Sequence, residues 1–522
     1  MNRDAMLQRV RERREPWDLL IIGGGATGLG AAVDAASRGY DVALFEQSDF
    51  AKGTSSRSTK LVHGGVRYLQ QGNVSLVIEA LKERGLLRRN APHLVHDVPF
   101  IVPSYKWWES PFYGIGLKVY DLLAGRFGFA KSSHLSKEKV IDAIPSIQPD
   151  GLLGGTQYYD GQFDDARLAI DLATTAHEHG GTLVNYAGVV GLLKHDDGTV
   201  RGVAVRDQET GEVFDVLGKA VINATGPFAD GVRRLDHPDA PPIIAPSQGV
   251  HVVLDRSFLP GDAAIMVPHT DDGRVMFAIP WHDVAVVGTT DTPIDAVDLE
   301  PKPLPDEVSF ILETANRYLA KTATPADLRS VFVGIRPLVK AGDGENTAAL
   351  SRDHTVLIDP NSGLITIGGG KWTTYRRMAE DVIDQAATLA DLPPRPCVTK
   401  DLPVHGADPD AERFGPLAFY GSDAAELERL HADHPQLAEP LHPKLPITGA
   451  QVRWACRREM ARTVDDVLAR RTRCLLFDAQ AAIQAAPRVA ERMADELNHD
   501  AAWAADQAES FRKIAAGYVY SS

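Results

Sequence analysis

Residues 18–46 read DLLIIGGGATGLGAAVDAASRGYDVALFE, and this stretch decides the fold. The run 19–22 is short, apolar and rich in Ile, as a buried strand requires. Gly23, Gly25 and Gly28 follow in G-x-G-x-x-G spacing, and an Ala-rich helical stretch runs on to Ser37. Gly39 stops that helix, 42–45 reads as a second buried strand, and Glu46 ends it. The glycines allow a tight turn, close approach of backbone to a pyrophosphate, and close packing of helix on strand. The helix start offers N–H groups and the positive end of its dipole, and the carboxylate accepts from ribose hydroxyls. An acid at Glu46, with no Arg beside it, predicts an adenosine with a free ribose 2′-hydroxyl, hence FAD or NAD rather than NADP.

The segments downstream choose between those two. Residues 54–71, TSSRSTKLVHGGVRYLQQ, form a polar, Gly-containing stretch where a nicotinamide dehydrogenase would continue with alternating helices and strands. The stretch resembles the loop of glutathione-reductase-type and D-amino-acid-oxidase-type flavoproteins that runs beside the ribityl chain and flavin. That resemblance puts Ser55, Ser58 and Lys60 at the cofactor and His63 in a flavin-facing loop. AVINATGPFAD (220–230) pairs a buried strand with a sharp turn at Gly226, similar to the second motif of those proteins. GLITIGGGKWTTYRRMAE (363–380) gives a strand, a triple glycine and a helix start near Thr373, so that Gly370, Lys371 and Thr373 fall beside the cofactor. A helix N-terminus there favours negative charge on a reduced ring.

Composition narrows the class. The 522 residues exceed what one core needs and predict two to four domains. Hydrophobic content of 44% and charged content of 24% are ordinary for globular chains. A net charge of −15 argues against general nucleic-acid binding. Three cysteines without a CxxC pair argue against a disulfide scaffold or a Cys-based metal site, and no HExxH or EF-hand pattern occurs, so no metal is expected. No apolar run reaches 18 residues. The first 17 residues, charged and holding five Arg, lack a signal-peptide core and read as a solvated helix ahead of the folded protein.

Taken together, GGGATGLGAAVDAASRGYDVALFE, HGGVRYL, DDARL (164–168), NATGPFAD, GTTD, GIRPL (334–338), SRDHT (351–355) and GGGKWTTYRRMAE resemble the FAD-dependent glycerol-3-phosphate dehydrogenase family over about 17–395. The resemblance implies oxidation of sn-glycerol 3-phosphate to dihydroxyacetone phosphate, with electrons leaving to quinone at a membrane surface. A phosphomonoester dianion needs converging cations, and Arg binds its oxygens two at a time. The resemblance places Arg67 with Tyr68, Arg336, Arg352 and Lys371 in the substrate pocket, with Thr290 of GTTD hydrogen-bonding substrate or flavin. Imidazole titrates near working pH, so His251 and His63 are candidates for the hydroxyl proton, with His251 favoured. Arg336 is the alternative, stabilising a developing alkoxide.

Residues 100–129 hold nine of the 37 aromatics, with Lys106, Lys118 and Arg126 against Glu109 and Asp121. Rings at headgroup depth beside cations suit an interfacial segment, and an aromatic-rich subdomain core or a homodimer interface is the alternative. The expected location is cytoplasmic, peripheral to the inner face of the cytoplasmic membrane.

The fold class is α/β: a Rossmann-type FAD-binding domain of the D-amino-acid-oxidase/glutathione-reductase type, a β-rich substrate domain and a C-terminal helical domain. The expected divisions are 17–95, 150–245 and 340–395 for FAD, 96–149 for the aromatic insertion, 246–339 for substrate and 396–522 for the helical cap. The rival readings are an oxygen-using oxidase of the same substrate, an FAD oxidase of D-amino or 2-hydroxy acids, and a flavin-binding scaffold without turnover.

Overall fold

The computed structural model describes residues 1–65, 73–270, 273–340 and 354–520. Two sheets organise the chain. The first runs, in order, His354–Ile358, Ile365–Gly369, Val213–Asn223, Trp17–Ile22, Val42–Phe45 and Thr182–Val184, with Ala187–Lys194 and Val200–Asp207 branching off Val213–Asn223. From Ile365–Gly369 to Thr182–Val184 neighbouring strands are parallel. Helices Ala26–Ser37 and Tyr375–Leu389 pack against one another, burying the Ala-rich face that the sequence supplies. This is the α/β cofactor-binding fold expected, and its strands read as unbroken apolar runs because helices and loops cover both faces.

The second, ten-stranded sheet is built on Ile244–Asp255, which pairs antiparallel with both Val284–Gly288 and Leu328–Val339. It draws strands from outside 246–339. Val95–Ser104 pairs parallel with Ala264–Val267 and antiparallel with Gly154–Phe163. The divisions 17–95, 96–149 and 150–245 therefore cut across one sheet: 95–104 and 154–163 belong with the substrate strands. Between them the chain leaves the sheet through helix Glu109–Ala124 and returns to it at Ser133–Ser136, which pairs antiparallel with Gly154–Phe163.

The C-terminal helices Gly449–Arg458, Ala479–Leu497 and Ala501–Ala515 share a hydrophobic core with that sheet, including Phe100, Trp281 and Phe332. This region also contains a two-stranded hairpin, Pro440–His442 with Leu445–Thr448, among its helices.

The N-terminal helix Arg3–Glu12 corrects the expectation of a solvated arm. Met6, Leu7 and Val10 are buried, and Arg3, 4% exposed, pairs with Asp207 at 2.7 Å and donates to the Asn185 carbonyl. Its basic surface is matched by acids some 200 positions away, so composition alone misread it.

Candidate functional site

Strand Trp17–Ile22 delivers the glycine turn to the carboxyl end of the parallel sheet. Gly23 has φ +107°, and a Cβ there would stand 2.8 Å from the Ala224 carbonyl oxygen; at Gly28 it would fall 1.9 Å from the Gly23 carbonyl oxygen. Only glycine permits this crossing of turn, helix and neighbouring strand. The turn opens on a cavity of about 400 Å³. Gly23, Gly25, Ala26 and Thr27 line one side, and Gly226, Gly370 and Lys371 another. Helix Ala26–Ser37 has no side-chain cap from Gly25, and the Ser55 hydroxyl accepts from Ala26 N–H at 2.9 Å.

Glu46 lines the cavity and accepts from Gly24 N–H at 2.7 Å and Ser48 N–H at 2.8 Å. Burial raises its pKa while those two N–H groups oppose the shift. Each oxygen retains acceptor capacity for a ribose hydroxyl. The second helix expected at the cofactor begins as a turn, Trp372–Thr374, running into Tyr375–Leu389, whose N-cap Thr374 makes no side-chain cap. Glycine cradle, uncapped helix start and terminal acid fit an FAD.

Three expected cofactor residues are placed otherwise. The Ser58 backbone N–H and hydroxyl both donate to Asp165, at 3.0 and 2.7 Å. Lys60, fully buried, reaches the two Asp165 oxygens at 2.7 and 2.9 Å and the Ser56 carbonyl at 2.7 Å. Neither lines the cavity. Thr373, 3% exposed, accepts from His63 N–H at 3.3 Å and stands behind the lining. Asp164 pairs with Arg473 at 2.8 Å, and Arg167 with Glu459 at 2.7 Å. The DDARL segment thus clamps the cofactor loop to the C-terminal region, and Ser58 and Lys60 belong to that clamp.

A second cavity has a volume of about 190 Å³. Consecutive residues of strand Leu328–Val339 connect them: Pro337 lines the larger and Arg336 the smaller. Arg336, Arg274, His63 and Thr59 line the smaller one. The Arg336 guanidinium donates to Asp291 at 3.2 Å, to the Thr290 carbonyl at 2.9 Å and to the Gln248 carbonyl at 3.3 Å, and its side chain is still 27% exposed. A Cβ at Gly249 would come within 2.4 Å of the guanidinium, so the strand leaves a notch for it. Both carboxylates of this cavity are paired, Asp160 with Arg84 at 2.6 Å and Asp291 with Arg336.

His251 is not in the cavity lining. It is 3% exposed, stacks on Phe332 at 4.8 Å, and shares a 2.8 Å hydrogen bond with Thr59. Burial first, then Arg336 and Lys60, hold its pKa well below the ordinary imidazole value, so it is neutral. The Thr290 hydroxyl is committed to Glu307 at 3.0 Å and to Val250 N–H at 3.0 Å; only its backbone serves Arg336. Lys371 lines the larger cavity. Arg67, Tyr68 and Arg352 lie outside the described residues. Arg274 escaped the sequence reading; a cation directly before the apolar run VMFAI was its signal.

Asp236, His237 and Asp359 bring possible ligand atoms within 4.8 Å of one another, but Lys194 at 2.7 Å and the Ser362 hydroxyl already hold Asp236.

A glycine-cradled cofactor cavity, with a small cationic cavity lined by the next residue of the same strand, defines an FAD-dependent oxidoreductase. The chain matches that family, described as FAD dependent oxidoreductase, over residues 18–376, and the C-terminal domain of alpha-glycerophosphate oxidase over 397–504. It is 42% identical to the mitochondrial glycerol-3-phosphate dehydrogenase of Homo sapiens, over 98% of this chain and 75% of that one. Identity to the mitochondrial glycerol-3-phosphate dehydrogenase of Arabidopsis thaliana is 40%, covering 93% and 84%. The solved glycerol-3-phosphate dehydrogenase of Bacillus halodurans, complexed with FAD, superposes with a TM-score of 0.81 at 28% identity, covering 99% and 98%. The chain belongs to the glycerol-3-phosphate dehydrogenase family of FAD-dependent oxidoreductases.

Proposed function

We propose that this chain oxidises sn-glycerol 3-phosphate to dihydroxyacetone phosphate and passes the electrons to a membrane quinone. The observation that carries the reading is the pairing of Arg336 and Arg274 in a small cavity beside the cofactor site. Two guanidiniums suit a phosphate dianion, whereas a carboxylate monoanion needs only one. The names of the relatives at 40–42% identity support the same substrate.

FAD, when bound, supplies the two-electron acceptor that takes hydride from C2. Arg336, set by Asp291 and two backbone carbonyls, holds the phosphate end and orients C2. The proton of the C2 hydroxyl goes to His63, which lines the cavity. His251 acts one step back: neutral and stacked, it fixes the Thr59 hydroxyl at the cavity wall. It is a positioning residue. Anaerobic titration of the yellow protein with glycerol 3-phosphate should bleach the flavin, and glycerol, D-alanine and lactate should not. Absence of bleaching by all four would refute the activity, and fast reoxidation by air rather than by soluble quinone would favour the oxidase.

For the membrane, the support is helix Glu109–Ala124. Tyr113, Leu117, Tyr120 and Ala124 are buried, while the opposite stripe is apolar and exposed: Ile115 69% and Leu122 80%, with Trp107 at 82% just before the helix. A stripe of this kind on a soluble surface marks a docking face. Among the described residues no helix is long and apolar enough to cross a membrane. We place this face on the inner surface of the cytoplasmic membrane, its rings at headgroup depth. Each of these side chains contributes about 1.5–3 kcal/mol on burial. Ile115→Ser with Leu122→Ser should therefore weaken vesicle binding at least tenfold and leave reduction of a water-soluble acceptor intact. Unaltered vesicle binding, with loss of a dimer in sedimentation, would instead make the stripe a homodimer interface.

A further inference from the structure

Beside the apolar stripe lies a cavity of about 560 Å³ that the proposed reaction does not use. Its apolar lining residues are Trp107, Pro111, Ile115 and Leu153, of which Trp107 and Ile115 also belong to the exposed stripe. Lys106, Lys118 and His134, all exposed, line it together with five hydroxyl side chains, and no carboxylate does. In a chain with 70 acidic residues against 55 basic ones, such a lining is electrostatically distinct. The nearby acids are turned elsewhere. Glu109 accepts from the backbone N–H of Tyr105 and Lys106 at 2.8 and 3.0 Å, and Asp121 from Ser132 N–H at 2.7 Å.

The floor carries the second observation. Ser104 and Thr156 are each 2% exposed, on the paired strands Val95–Ser104 and Gly154–Phe163. Neither hydroxyl has a hydrogen-bond partner within the protein, and the same holds for Ser132. A buried hydroxyl left without a partner is unfavourable by about 1–3 kcal/mol. Three of them around one cavity point to a polar ligand that completes them. Ser110 meets His134 at 2.8 Å and sets the imidazole at the wall.

We infer that this cavity holds the phosphate headgroup of one anionic phospholipid, with its acyl chains leaving past Trp107 and Ile115 along the exposed stripe. Lys106 and Lys118 supply the charge, and the hydroxyls the hydrogen bonds. A free phosphate would have no use for the exposed apolar residues of the lining, and a quinone headgroup would have no use for two ammonium groups. The inference rests on the membrane reading above and adds headgroup selectivity to it.

The test compares sedimentation of the holoenzyme with phosphatidylcholine vesicles and with vesicles that also contain phosphatidylglycerol. At about 1 kcal/mol per lysine near an anionic surface, Lys106→Ser and Lys118→Ser should each weaken binding to the mixed vesicles roughly fivefold. Both variants should leave binding to neutral vesicles unchanged. Thr156→Val, which keeps charge and shape, should reduce the preference for phosphatidylglycerol about threefold, as loss of one hydrogen bond implies. Lys131→Ser, which removes an exposed charge outside the lining, should change it less than twofold.

Equal binding of wild type to both vesicles would overturn the site and leave membrane docking standing. Binding to neither would remove docking and the site together. A loss with Lys131→Ser as large as with Lys106→Ser, or none with Thr156→Val, would mean diffuse attraction instead of a site. Displacement of short-chain phosphatidylglycerol by a short-chain quinone would assign the cavity to the electron acceptor and overturn the lipid.

Discussion

Arg336→Met should lower kcat/KM for glycerol 3-phosphate by about three orders of magnitude while the protein retains its flavin. Truncating one partner of a buried, hydrogen-bonded charge pair loses about 2–5 kcal/mol, and about 4 kcal/mol corresponds to ~10³ in rate. Two losses combine here. The substrate phosphate forfeits a forked donor, and the carboxylate of Asp291, 7% exposed, loses the guanidinium 3.2 Å away that offsets its charge in the cavity that must accept a dianion. The effect should fall mainly on KM, because phosphate is bound alike before and during hydride transfer. Arg336→Lys should recover part of it, since an ammonium restores the charge without the fork. Steady-state kinetics with flavin absorbance as the loading control measures both. A variant with unchanged KM would move phosphate recognition away from Arg336.

The parts of this site legible in the sequence share a feature: their information is local. Strand, glycine spacing, helix and terminal acid from Leu19 to Glu46 sit within one βαβ unit, and Gly23, Gly25 and Glu46 line one cavity. The misplacements come from partners distant in the chain. Lys60 reads as a loop cation, yet its carboxylate, Asp165, lies 105 positions on and takes it out of the cavity. His251 alternates with apolar residues as a strand histidine should, but no local pattern announces the Phe332 ring beneath it or Thr59 at its edge. The same holds for the substrate sheet. Strands Val95–Ser104 and Gly154–Phe163 pair with each other around an aromatic excursion, and Val95–Ser104 joins Ala264–Val267 from about 160 positions away, a pairing no hydrophobic period encodes.

Distant pairing also decides how the C-terminal region is held, and Asp49→Asn should expose it. Asp49 follows the cofactor-binding unit directly and is fully buried. It accepts from Arg470 Nε at 2.5 Å and from Arg471 Nη2 at 2.9 Å, residues more than 420 positions later. Asp466 at 2.7 Å and Asp465 at 3.0 Å complete the shell of Arg470. Arg471 has, besides Asp49, the Glu459 carbonyl at 2.7 Å and a carboxylate oxygen only at 3.9 Å. Removing Asp49 thus leaves one guanidinium nearly uncompensated in the interior, a change that lowers stability by about 3–5 kcal/mol. Denaturant unfolding followed by flavin release should show the midpoint fall, with kcat of the folded fraction little altered. The pH dependence identifies the group responsible. Burial alone would raise the Asp49 pKa, but Arg471 and Arg470 outweigh burial and hold it below the ordinary carboxylate value. A depressed folded-state pKa means the unfolded chain takes up the proton first as pH falls. The contribution is fully present above the unfolded value, near pH 4, and is lost as pH falls through the folded one. The gap in midpoint between wild type and Asp49→Asn should therefore be constant from pH 8 to about 5 and narrow below about 4. A gap that persists undiminished to pH 3 would show that packing around residue 49, and not its charge, fastens the C-terminal helices to the cofactor domain.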